Sequence, residues 1–563
     1  MATFDFHFHP VFKQYLCEFD GQYPSVRDVE TLREPMELTN PVTDFLEENF
    51  LHILESQSCL TQLETGGLTL GMANIAPIER MFAQKEGLFG FVLNSAFFTS
   101  PVDQTYLRKV RNGEISYYQL FLRELVLYKK LRDAGVLTML TRQNPVKATG
   151  SGPFFTLALE GGHSLCRTRI GRPGVRDTFE VPINAEDALV RDFRDNFVVD
   201  PAQSLQHLQQ ALWDEGLDLM SLVITHLSHI PEQHIATHAF GLKMLKDEAA
   251  YPIADGISPA GKRLIDNAYK LQVNVGGAPQ DAPVLIDVKH MSLKSRIEFY
   301  AHRRANGFDR FPIIASHMGV TGYSVDEWKS ALAEAKRTRL PSGTPVVSLE
   351  TTRRTAGEWG VVNKRFTFNP WTINLMDDDI VEILNSEGLI GLSLDVRILG
   401  WQDFVTKGEK AEFMSAEEFR FFFPELFRKL SAEPLDAAES FLVPTKEERH
   451  PLALCFNLLH IISVGKLLTD ANPWERVTIG SDFDGLINPL VNCRDASRFP
   501  GLGSLLLRWL PVAEKSYRAE NGGPLLLDRN ARGEVDEAKL RKNVDRLLFE
   551  NGEAFLRNQR WIL

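Results

Sequence analysis

Eight short apolar runs recur along the chain, most of them closing on a polar or charged residue: 2–9, 67–76, 154–160, 217–226, 283–290, 311–317, 389–395 and 476–485. Continuous apolar runs of this length predict strands buried on both faces of a parallel sheet. Between them the apolar spacing lengthens to that of a helix. Leu205, Leu208 and Leu212 fall on one stripe, with Ser204 expected as the N-cap and Gly216 just past the end. Ser258 before Pro259 opens a second helix carrying Leu264, Ala268 and Leu271. Ser324 and Glu327 have the spacing of a capping box, and Leu540, Val544 and Leu548 mark a C-terminal helix. Strands alternating with helices predict an α/β fold. The count of eight predicts closure into a (β/α)8 TIM-type barrel with large insertions between strands. An open, doubly wound sheet is the alternative, but no glycine-rich phosphate turn follows the first strand.

A bare barrel needs about 250 residues, and this chain has 563. The surplus falls in the gaps at about 10–66, 91–150, 166–203, 319–388 and 396–475. Without a Pro/Gly/Ser linker to mark a boundary, residues 1–563 read as a single barrel domain, its main insertions at approximately 166–203, 319–388 and 396–475. The stretch 401–450 is rich in Phe, Glu and Lys and reads as helical. The net charge of −12 and the mixed signs of 26–34, 334–339 and 407–412 argue against a nucleic-acid partner. Cys17, Cys59, Cys166, Cys455 and Cys493 form no CxxC pair, against a disulfide framework or a thiolate zinc site. No charged and apolar leader opens the chain, and no run of about 20 apolar residues is evident, so neither export nor a membrane partner is expected. A cytoplasmic enzyme acting on a small molecule is the expectation, with a homo-oligomer left open.

Five histidines (His7, His9, His226, His290 and His317) stand at or next to the carboxyl end of an expected strand. In a barrel those ends converge on one rim, so side chains far apart in sequence can reach one ion. His7 and His9 are two apart, which puts both on one face of a strand. Alone, such a pair is also what two ordinary polar residues would give. Glu160 ends its strand before Gly161-Gly162-His163, where a carboxylate can bridge two cations. The alternative is an exposed glutamate on a glycine turn, with His163 buttressing a loop. A single histidine on an apolar strand is commonly a satisfied core residue, whereas His290 and His317, at matching positions of adjacent strands, favour ligation. Alternation turns Lys289 to the opposite face from His290. Asp482 and Asp484 close the eighth strand, Asp482 facing the mouth as a proton acceptor and Asp484 forming the turn or a supporting contact. His226 reads as an oxyanion donor or a loop contact, and His229, His234 and His238 as loop residues.

The blocks LALEGGH (157–163), LVITH (222–226), GISPAGKRLIDNAYKLQVNV (256–275), VLIDVKHMS (284–292), PIIASH (312–317), TIGSDFDG (478–485) and LLFENGEAFLRN (547–558) occur in this order. Together they resemble the renal, or membrane, dipeptidase family (peptidase family M19), a group of amidohydrolase-type barrels. The resemblance implies two metal ions, usually zinc, with another divalent metal allowed. It implies that Glu160 bridges them, that His290 and His317 hold one, and that His7 and His9 hold the other beside Asp482. It implies that His226 contacts the scissile carbonyl, and that Asp482 takes a proton from water activated at the metals, which cleaves a dipeptide or other amide. Three departures stand out. His7-Phe8-His9 replaces the family's His-x-Asp. Ile373 precedes Asn374 where the family places a carboxylate-binding arginine, for which Arg353, Arg354 or Arg365 would have to substitute. The loop after His226 lacks the usual Asn/Cys pattern. These departures keep two other readings in view: an amidohydrolase-type enzyme for a lactone, cyclic amide or phosphoester, and a non-catalytic metal-binding barrel.

Overall fold

The computed structural model describes residues 2–17, 28–41, 43, 53–85, 87–147, 153–178, 186–241, 247–360, 364–401, 411–430, 432–433 and 448–563. Parts of the expected insertions, at 179–185, 361–363, 402–410, 431 and 434–447, lie outside these residues, as do most of the mixed-sign run at 407–412 and the first two positions of that at 26–34.

The eight expected strands all form: β1 (Thr3–Phe8), β2 (Leu68–Ile75), β3 (Phe154–Glu160), β4 (Leu219–Val223), β5 (Leu285–Asp287), β6 (Ile314–Met318), β7 (Leu389–Leu392) and β8 (Val477–Ile479). They pair in sequence order, each parallel to the next. The ring is completed where β8 leads back to β1. There the Asp482 N–H donates to His7 O at 2.9 Å, and the His9 N–H donates to Phe483 O at 3.0 Å. Phe4, Leu70, Met220, Leu285, Ile314 and Leu389, all near strand starts, pack with Phe555, Leu556 and Trp561 into one buried cluster. The end of the chain thereby seals the amino rim, and the polar residues are left at the carboxyl rim.

Several strands are shorter than the apolar runs that predicted them. β5 stops at Asp287 and β8 at Ile479. The helix expected from Ser204 starts at Pro201 and ends at Asp214, because Asp200 caps it by accepting from Ala202 N–H at 3.1 Å. Ser204 sits a turn inside and donates instead to Leu165 O at 2.8 Å. Ser258 caps Pro259–Lys270 as expected, and Ser324 with Glu327 forms a full capping box. The C-terminal helix is interrupted by a π-helical turn at Arg546–Glu550, so Leu548 stays buried off a regular stripe.

The 401–450 stretch is not helical throughout. Ala411–Ser415 is a strand with Phe413 and Met414 buried, followed by helices Ala416–Phe422 and Pro424–Phe427. That strand pairs with Pro345–Thr351, which pairs with Leu332–Arg339, in a small sheet apart from the barrel. Among the described residues one helix, His450–Leu468, is long and apolar enough to cross a membrane, with a mean hydropathy of 1.6, which amends the sequence reading that no such run exists. Of its most apolar window 83% is buried inside the protein, which is how a core helix behaves. All five cysteines are buried, and no disulfide joins any of them.

Candidate metal centre

The expected residues meet at the carboxyl rim. Glu160, the last residue of β3, lies at the middle. Its Oε2 is 3.4 Å from His7 Nε2 and 3.3 Å from His9 Nε2. Its Oε1 is 3.1 Å from His290 Nε2 and 3.5 Å from His317 Nε2. Asp482 closes the other side, with Oδ1 at 3.9 Å from His7 Nε2 and 3.8 Å from His9 Nε2, and Oδ2 at 3.8 Å from His317 Nε2. His226 Nε2 stands 3.8 Å from Glu160 Oε1. Gly161 makes the turn after Glu160 possible. Its φ is +92°, and a Cβ there would come within 2.3 Å of the His163 ring.

The outer ring nitrogens are fixed by acceptors. His9 Nδ1 lies 3.1 Å from Asn74 O, which can only accept, so the neutral ring carries its hydrogen there and turns the Nε2 lone pair inward. His7 Nδ1 and His317 Nδ1 each lie 2.9 Å from Ser316 Oγ, a hydroxyl with two lone pairs to offer. The inward nitrogens of His7 and His9 are then 3.2 Å apart. Two lone pairs at that distance repel unless a cation or proton sits between them. The electrostatics express the same demand. Burial lowers His9, but Asp482 and Glu160 outweigh it and carry the ring to about 10. Burial pushes Glu160 up, while the imidazoles of His7 and His226 hold its carboxyl well below the ordinary range. His290 and His317 are driven well below the imidazole range by burial, reinforced by the charge of His226 and of His7.

Among the described residues there are three overlapping sets whose donor atoms, within each set, lie within 4.8 Å of one another: His7, His9 and Asp482; His7, Glu160 and His317; Glu160, His226 and His290. Nitrogen and carboxylate donors in this number suit borderline divalent ions. These buried clusters could hold metal ions, with room for a binuclear arrangement about Glu160.

Other sequence expectations divide. Asp484 supports the site from outside, accepting from Gln57 N–H at 2.9 Å and from Ser58 N–H and Oγ–H, both at 2.8 Å. His163 stays outside the three donor sets, with Nε2 at 3.1 Å from Pro77 O. His229, His234 and His238 also fall outside them. Lys289 is a correction. It lines the same cavity as His290, because β5 ends before either residue and His290 has a φ of +63°, so strand alternation does not reach them. Of the three arginines, only Arg353 borders the cavity. Arg354 donates to Gly322 O and Asn521 Oδ1, and Arg365 is 64% exposed.

Sequence reading missed Glu79. It lies just beyond β2, 1% exposed, with Oε1 at 2.9 Å from His226 Nδ1. Burial would raise its carboxyl, but His226 above all, with His163, brings it down to about 2. In return, Glu79 and Glu160 overcome burial and raise His226. The only signal was an acidic residue past a strand end, and no spacing links it to a histidine 147 positions away.

No protein-family model and no curated protein matches the chain. Its structural neighbours are M19 dipeptidases and amidohydrolases, over nearly the full length and at low identity. They include a probable dipeptidase from Pseudomonas aeruginosa, at 13% identity over 100% of this chain and 94% of that one, with a TM-score of 0.44. A metallo peptidase from Rhodobacter sphaeroides, liganded with a phosphinate mimic of the dipeptide L-Ala-D-Ala, is 14% identical over 97% of this chain and 99% of that one, with a TM-score of 0.42. An amidohydrolase from Pseudomonas aeruginosa is 11% identical over 89% of this chain and 91% of that one, with a TM-score of 0.39.

Proposed function

We propose that this protein is a metal-dependent hydrolase that cleaves an amide bond in a small substrate, in the manner of a dipeptidase. One observation carries the reading: the Glu160 carboxylate stands between two histidine pairs, one oxygen toward each. His7, His9 and Asp482 would hold one ion and His290 and His317 the other, with Glu160 between them; zinc suits these donors. Divalent cations supply Lewis acidity and ease the deprotonation of water.

The chain's own groups supply the rest. Asp482, whose side chain is 14% exposed while its neighbours are nearly sealed, faces the cavity. Burial raises its carboxyl from the ordinary range, so it is suited to take a proton from the attacking water and return it to the leaving nitrogen. Glu79 accepts from His226 Nδ1–H and favours the charged form of the ring, whose Nε2–H can then donate to the carbonyl oxygen as negative charge builds there. A second reading rests on Ile373, which lines the cavity where the resemblance calls for an arginine. It favours a lactone or cyclic amide, with no carboxylate in the arginine's place.

Elemental mass spectrometry on the protein purified without added metal, wild type against Glu160→Gln, tests the site. About two ions per chain, falling in the variant, are expected, along with turnover of apolar dipeptides that Asp482→Ala abolishes. No ion after incubation with zinc, or normal hydrolysis by Asp482→Ala, would overturn the reading.

A further inference from the structure

Lys289 is 1% exposed in the wall of the cavity, next to His290. An ammonium withdrawn from water is costly unless it is paired. Yet among the described residues Lys289 makes no side-chain hydrogen bond and no ion pair. Four carboxylates, Asp482, Glu160, Asp395 and Asp287, act on its charge from a distance, but none pairs with it. Glu160 and Asp482 face the histidines. Asp395 is held by Arg397, whose Nε lies 3.0 Å from each of its oxygens. Asp287 Oδ1 accepts from the backbone N–H of Lys289 and of Ser316.

The two arginines of the cavity are also spoken for. Arg397 is committed to Asp395. Arg353 donates through Nε to Thr367 Oγ1 at 3.1 Å and through Nη2 to Gly400 O at 3.0 Å. The remaining wall is largely apolar, with Phe12, Phe82, Trp371, Trp401 and Leu486 around it. A buried ammonium that no carboxylate contacts, set beside an apolar wall, leaves a place for an anion that arrives with the substrate.

We propose that Lys289 is a specificity-determining residue that receives the carboxylate of an apolar, anionic substrate. The assignment rests on the reading of this cavity as the substrate site of a hydrolase. It places the negative group deep, beside His290, with the apolar part of the substrate against the aromatic wall.

The test is calorimetric titration of the full-length protein, as purified, with hydrocinnamate and with its neutral amide. Wild type is expected to bind the acid about tenfold more tightly than the amide. Lys289→Met is expected to erase that preference while leaving amide binding and metal content unchanged. Lys289→Gln, which keeps the length and a hydrogen-bond donor, is expected to lose the preference too, and Lys289→Arg to retain it. Equal binding of acid and amide by wild type overturns the assignment, as does an undiminished preference in Lys289→Met or Lys289→Gln. Because the titration reads binding, a retained preference in a protein that hydrolyses no amide would count against the proposed function and leave Lys289 as an anion anchor.

Discussion

Replacing Glu79 by Gln removes one charge and keeps the shape of the side chain. Glu79 titrates near 2 where a free glutamate titrates at 4.5. At about 1.4 kcal/mol per pH unit, that difference is about 3 kcal/mol of attraction to its positive partners, net of the burial cost. His226 is the largest of them, at 2.9 Å. His226 is raised by this pairing, so its protonated form is favoured at low pH and is lost as pH rises through its folded value. Without the carboxylate that loss comes at lower pH. The alkaline limb of kcat/KM is therefore expected to move down in Glu79→Gln. At a pH above the new limb, turnover is expected to fall by about 10²–10³, the cost of losing one oxyanion donor. Metal content should hold, since Glu79 is in none of the three donor sets. The assay is a pH profile of hydrolysis of an apolar dipeptide, paired with elemental analysis. An alkaline limb that stays put, or activity lost in proportion to metal, would refute the role given to the Glu79–His226 pair.

Three further outcomes follow from buried contacts. Glu124 lies wholly buried with no hydrogen-bond partner for either oxygen among the described residues, and burial, opposed by His9, raises it to about 8. Its folded value lies above the unfolded one, so its contribution is fully present below about pH 4.5 and is lost as pH rises through about 8. Glu124→Gln should raise the melting temperature at pH 8 by removing a penalty on the order of a few kcal/mol, and change it little at pH 4.5; the opposite ordering in thermal melts would sink this account. Asp484→Ala strips the acceptors from Gln57 and Ser58 and should cost about 3 kcal/mol in urea unfolding while leaving the ligand residues in place. Gly161→Ala forces a side chain onto a φ of +92° and against the His163 ring, so both stability and metal occupancy should fall; a variant with full occupancy would show that the turn tolerates a Cβ.

What the sequence made legible, and what it hid, divides at the points where the strands stop. The apolar runs are long because both faces of each strand are buried, and that is enough to place β1 to β8 in order and to put Glu160, His7 and His9 at one rim. The same runs overshoot, since apolar residues continue into loops that are also buried. Alternation of faces is a property of extended backbone alone. It holds for His7 and His9, which share a face at the end of β1 and meet Glu160 together. It fails for Lys289 and His290, which follow β5 on a backbone that turns left-handed at His290. Asp482 and Asp484 follow β8 with φ values of +63° and +68°, so one turns inward to the histidines and the other outward to Ser58. Left-handed backbone at non-glycine residues is uncommon and costs energy. Here it falls on two of the residues that face Glu160, His290 and Asp482. The strain is therefore spent where the chain must aim donors that a regular strand would direct elsewhere. A pattern rule loses its footing at the rim of a barrel for the same reason that the rim can assemble a site.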